Sequence, residues 1–218
     1  MSICGLYFLT LVSLCGGWMS TCSAAAGERL TKNYHAVVIQ GAGYLPDAKK
    51  PEGVDAITQA TTKGLNTYSL TTALAEKLVA RDIEVTVLPF SACAGLTCLS
   101  ASPEGTRKRA DLVIFAGPSY FSKQPEQLLA LYPKLKEAVA CNPRLICSAL
   151  VPAWYPESKG KATLEHALKT ASEAGARSVP GVTLLTPRGD KKGASAEEVD
   201  KALTDFATRL AEALKSGK

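Results

Sequence analysis

At 218 residues and 46% hydrophobic, the chain can bury a full core without disulfide or metal staples, and one domain is the economical division. A net charge of +5 and a pI near 8.8 favour anionic ligands or partners. They do not point to nucleic acid, because the basic residues are scattered and Arg107-Lys108-Arg109, the tightest cluster, has few aromatics near it.

Residues 3–15 form an apolar run too short to span a bilayer comfortably, and the first charged side chain is Glu28. Ala24-Ala25-Ala26 then offers an A-x-A cleavage site, so residues 1–26 read as a signal peptide that lacks a basic residue before its apolar core. The expectation is an exported chain, periplasmic or extracellular, with residues 27–218 as its folded domain. An uncleaved leader acting as an anchor stays open. Lipidation at Cys15 or Cys22 is disfavoured by Leu14 and Thr21, which are poor residues before a lipid-modified cysteine.

Beyond the leader the apolar blocks alternate between period two and period 3.6. Residues 35–40 read as a strand ended by Gly41-Ala42-Gly43, and 70–79 as an amphipathic helix. Strands follow at 83–88 and 111–116, the latter continuously apolar, as a strand buried on both faces would be. A helix is expected from about 126 to 139 and a fourth strand over 144–150. The next helix carries Leu164, Ala167, Leu168 and Ala171 and should end at Gly175, before a fifth strand over 182–185. The closing helix, 196–214, opens on Ser195 and Glu198 in capping-box spacing. Five strands alternating with helices imply right-handed crossovers, and hence an α/β three-layer sandwich around a five-stranded parallel sheet.

In such a sheet ligands bind where loops diverge from the C-terminal ends of the strands. The third strand stops at Gly117-Pro118, so Gly117, Pro118, Ser119, Tyr120 and Phe121 are the first site candidates. Asn66, Thr67, Tyr68, Ser69 and Thr71 open the first helix, where hydroxyls and free backbone N–H groups make a positive pole suited to a phosphate dianion. Trp154 and Tyr155 follow the fourth strand and, with Tyr120, offer faces on which a flat ring can stack. Each group also has an ordinary role, as helix cap, turn or edge cover. A hydrolase is disfavoured, since there is no G-x-S-x-G elbow and only two histidines, His35 and His166.

Asp111, Gly117, Pro118, Tyr120, Pro125, Gln127 and Leu128 together resemble the third-strand region of the flavodoxin-like superfamily, especially its NAD(P)H-dependent FMN reductase and quinone reductase branch. The stretch 66–78 is similar to that family's phosphate-binding turn and first helix. The resemblance implies noncovalent FMN, with phosphate on Asn66, Thr67, Tyr68, Ser69 and Thr71 and the ring between residues 117–121 and Trp154-Tyr155. It further implies electron transfer from nicotinamide to a quinone-type small molecule or to another redox protein. The flavin would be the reactive group and no side chain is assigned a catalytic role; self-association is left open. Two departures stand out: residues 44–65 intervene between first strand and phosphate turn, and Ser69-Leu70 stands where that turn often has glycine. The competing reading is a flavin-free envelope binding module that keeps only the fold.

Cys93 and Cys98 follow the second strand, and a four-cysteine cluster would need two more ligands where none occurs before Cys141. No metal site is therefore expected. In an exported chain a local Cys93–Cys98 disulfide is the expectation, with thiol redox chemistry as the alternative. Cys147, inside a strand, reads as a small buried residue.

Overall fold

A computed structural model describes residues 34–41, 67–93, 95–100, 108–119, 123–153, 157–186 and 193–217, all within the compact unit Lys32–Lys218. The leader and the 44–65 insertion lie outside the described residues. The elements in chain order are β1 (Tyr34–Gln40), α1 (Thr67–Val79), β2 (Ile83–Pro89), β3 (Leu112–Ala116), α2 (Glu126–Leu129) and α3 (Leu135–Cys141). They continue with β4 (Ile146–Ala153), α4 (Glu157–Glu173), β5 (Arg177–Ser178), β6 (Val182–Leu185) and α5 (Ala196–Ser216). These six strands pair in parallel, in the order β2-β1-β3-β4, with β5 and β6 both on the far side of β4. The order reverses between β1 and β3, which makes the C-terminal ends of those two strands the switch point of the sheet.

Period-two alternation sorts the strands between two cores. Ala36 and Val38, Leu112 and Ile114 face α1 and the closing helix α5, where they meet Leu70, Leu74, Leu203 and Phe206. Val37 and Ile39, Val113 and Phe115 face the other layer, against Leu128 of α2, Leu135 of α3 and Ala167 of α4. The sheet is thus apolar on both sides, as continuous hydrophobic strands require. At the opposite end from the switch point, Asp111 Oδ2 accepts the His35 N–H at 2.9 Å. The ring of His35 lies between the Lys108 carbonyl and Thr86 Oγ1, so this histidine is structural.

The closing helix starts as its sequence dictates: Ser195 Oγ accepts from Glu198 N while Ser195 N donates to Glu198 Oε2 at 2.7 Å, a complete capping box. Gly175, at φ +90°, ends the turn after α4 in a conformation that glycine adopts without strain.

Two elements differ from expectation. The helix expected over about 126–139 is broken into α2, a single 3₁₀ turn at Tyr132–Lys134 and α3. Pro133 has no N–H to continue the helical ladder. The strand expected over 182–185 stands there as β6, but an additional two-residue strand, β5, precedes it on the same edge: three steps along β4 from Cys147 to Leu150 match four from Ser178 to Val182. The extra residue is a bulge at Val179-Pro180-Gly181, tolerable on an edge strand because Pro180 needs no ladder donor. Val179 N donates to the Cys147 carbonyl and Ser148 Oγ donates to the Val179 carbonyl, both at 2.9 Å, so the bulge is pinned from β4. No helix among the described residues is long and apolar enough to cross a membrane.

Candidate functional site

The first helix enters the site with its N-terminus. Because β1 runs up to Gln40 and the chain returns through α1, Thr67 and the next residues lie at the C-terminal end of the sheet, beside the switch point. The first turn of α1 carries no acidic residue, so nothing there opposes the positive end of the helix dipole. Thr67, Ser69 and Thr71 are all buried. Their hydroxyls are not equally available: Thr71 Oγ1 donates to the Tyr68 carbonyl at 2.8 Å, and Thr72 Oγ1 donates to the same oxygen at 3.0 Å. The proton of Thr71 is therefore engaged within its own helix, and Ser69 has a partner of its own.

On β3 the expected exposed turn is instead a continuation of the ladder. Gly117 is buried and its N–H donates to the Leu150 carbonyl at 3.1 Å, while Ser119 N donates to the Pro152 carbonyl at 2.9 Å. The reason is that β4 runs on to Ala153 and offers carbonyls beyond the end of β3. Ser119 Oγ turns to α4, 2.6 Å from Thr163 Oγ1 and 3.3 Å from the Lys159 carbonyl. His166, one turn further along α4, is exposed, and the serine is held by the threonine. Pro118 is half-buried between these two fixed residues. Asn66, Tyr120, Phe121, Trp154 and Tyr155 lie outside the described residues, so the described parts of the expected site are Thr67 to Thr71, at the start of α1, and Gly117 to Ser119, beyond the end of β3.

The floor of the site is built where two strand ends close on one helix. Gly41 and Gly117 end their strands against one side chain, Leu128 of α2: a Cβ on Gly117 would stand 2.8 Å from Leu128 Cδ2, and one on Gly41 would stand 2.9 Å from it. Just before α2, Gln124 is tied to both sides: its Nε2 donates to the Phe115 carbonyl at 3.2 Å and its Oε1 accepts from Tyr132 Oη at 2.7 Å. The Tyr132 ring packs on Phe115 with centroids 4.3 Å apart. Burial first, and then nearby Cys147, push the Tyr132 phenol well above its ordinary range, so it remains a donor. Its contribution to stability is complete below the ordinary phenol pKa and declines as the pH rises above it. Tyr132→Phe leaves Gln124 Oε1 buried without a partner and is expected to cost about 1–3 kcal/mol in urea unfolding. A loss under about half a kcal/mol would mean that Gln124 finds another partner.

At the end of β1 stands Gln40, 1% exposed, with no partner for either Nε2 or Oε1. The sequence carries a signal for it, a polar residue closing an otherwise apolar strand.

Cys93 and Cys98, expected as a local disulfide, are both buried with Val37 and Ile39 beneath the sheet. Single 3₁₀ turns at Phe90–Cys93 and Thr97–Leu99 carry the two sulfurs inward as small core residues. Burial pushes the Cys147 thiol far above its ordinary range. Of the described cysteines only Cys141 is exposed. Alkylation of the native protein at neutral pH is therefore expected at Cys141, with Cys147 reacting only on unfolding. Peptide mass spectrometry after brief iodoacetamide treatment checks this, and native labelling of Cys147 would contradict the burial.

No family model and no curated protein matches the chain. Solved structures do. Rubredoxin oxygen:oxidoreductase of Desulfovibrio gigas superposes over 84% of this chain with a TM-score of 0.55 at 14% identity. The Flv1 flavodiiron core of Synechocystis sp. PCC6803 superposes over 88% with a TM-score of 0.54, also at 14% identity. The chain spans only 36% and 38% of the length of those two proteins. The Streptococcus pneumoniae TIGR4 flavodoxin is matched over 82% of this chain and 98% of its own, with a TM-score of 0.52 at 16% identity. The strand order, the two helical layers and these superpositions agree that the chain has the flavodoxin-like fold.

Proposed function

We propose that this protein is an exported flavodoxin-like FMN-binding protein that carries electrons, either as an oxidoreductase taking them from a nicotinamide to a quinone-type acceptor or as a shuttle to another redox protein. The observation that carries the reading is the N-terminus of α1, free of acidic side chains, set at the switch point between β1 and β3. That placement suits a phosphate dianion. The unpaired Gln40 carboxamide beside it fits a polar ligand rather than a dry core. Bound FMN would supply hydride and electron transfer, which none of the described side chains provides. The protein's own part is to hold the phosphate on the first turn of α1, to fix Gly117 to Ser119 along β4, and to keep the strand ends seated on Leu128. The basic surface favours an anionic cofactor and anionic partners.

The test is an absorbance spectrum of the protein after incubation with FMN and desalting. Retained bands near about 370 and 450 nm support the reading. A colourless, folded protein supports the alternative, a flavin-free envelope module. One observation favours that alternative: the backbone donors of Gly117 and Ser119 and the hydroxyl of Thr71 already have partners in the protein.

A further inference from the structure

Gln40 follows Ala36 and Val38 at period two, which places it on the face covered by α1 and α5. Its register partners are Pro89 on β2 and Ala116 on β3, neither of which has a polar side-chain atom. Gly41 follows it with no side chain at all. A carboxamide carries two donors and an acceptor, and here both its nitrogen and its oxygen are buried and unpaired. Buried polar groups are satisfied in the great majority of cases, so a doubly unsatisfied amide at the mouth of a switch point needs an explanation. A core role does not supply one, because an apolar residue of the same shape would serve better.

We propose that Gln40 is a ligand-binding residue for the ribityl phosphate chain of FMN, with Nε2 donating to a phosphate or hydroxyl oxygen and Oε1 accepting from a ribityl hydroxyl. The inference rests on the FMN reading given above and adds a residue to it. A linear polyol phosphate presents donors and acceptors in series, matching an amide that needs both. It would run from the first turn of α1 past the end of β1, where Gln40 stands. A neutral amide does this without titrating, so its share of the affinity is constant across the pH range in which the protein is folded.

The experiment titrates FMN into the full chain by quenching of flavin fluorescence, for wild type, Gln40→Leu and Gln40→Met, and measures urea unfolding of each without flavin. Both variants are expected to bind FMN about tenfold more weakly, the scale of one hydrogen-bonding group in a binding site. Both are expected to unfold at the same or higher urea concentration than wild type, since each removes an unsatisfied buried amide. Unchanged FMN affinity in the variants overturns the role of Gln40 and leaves the FMN reading standing. A fall in flavin-free stability alongside affinity also overturns it, because the amide would then be a structural partner. If wild type itself fails to bind FMN, both the cofactor reading and this inference fall. Should Gln40→Leu not fold, Gln40→Met decides between the same outcomes.

Discussion

Gly181→Ala is expected to lower the unfolding free energy by about 3 kcal/mol, at the upper end of what overpacking costs. Gly181 sits in the bulge that precedes β6, and its φ is not positive, so the cost is one of space. A Cβ there would press into the Ala149 carbonyl oxygen, which belongs to the central strand β4, and would stand 2.6 Å from Leu164 Cδ1 of α4. The leucine end can turn aside. The carbonyl cannot, because β4 is held by β3 on one side and by β5 and β6 on the other. Relief requires the edge strand to lift off, which breaks the Val179 and Ser148 hydrogen bonds that pin the bulge. For a domain of this size the melting temperature should fall by roughly 6–12 °C. Pro180→Ala, next to it on the exposed side, is the control and should move the melt far less. A Gly181→Ala loss below about 1 kcal/mol would show that β6 is loosely seated.

The contrast between Gly181 and the readable parts of the chain shows what sequence pattern carries. The strands β1, β3 and β4 were legible because continuous apolar runs between turn residues have few other uses, and the start of α5 because a capping box is local. The 3₁₀ break at Pro133 had its signal in the proline, outweighed by the apolar period on either side of it. The bulge was signalled by Pro180-Gly181, but which residues on β4 it faces depends on a pairing between segments far apart in sequence. The same holds at the site. Thr71 could be read as a hydroxyl near a helix start, yet its bond to the Tyr68 carbonyl is a matter of rotamer. Ser119 could be placed after β3, but its turn toward Thr163 depends on where α4 packs. Export chemistry suggests a pairing of Cys93 with Cys98, but that both side chains are buried depends on how the turns after β2 pack under the sheet. Gln40 needed burial to be recognised at all.

Leu128 offers the second large effect and a direct test of how the site's floor is held. It is fully buried, and two strand ends, Gly41 and Gly117, close on it. Leu128→Ala should cost about 3 kcal/mol, within the usual range for a buried leucine that leaves a cavity. Gly117→Ala alone should cost about 1–3 kcal/mol, since its methyl would stand 2.8 Å from Leu128 Cδ2 and 3.3 Å from Pro125 Cδ. In the double variant the obstructing atom is gone and the new methyl enters the space it leaves. The two losses should then fall short of additivity by at least about 1 kcal/mol, a coupling expected only of residues in contact. Urea unfolding of the four proteins gives the cycle. Gly41→Ala is the internal comparison: its Cβ would also lie 3.2 Å from Leu128 Cβ, an atom that alanine retains, so rescue there should be weaker. Full additivity at Gly117 would mean that α2 moves away as a unit when either residue changes, and the strand ends at the switch point would then be positioned by β4 alone.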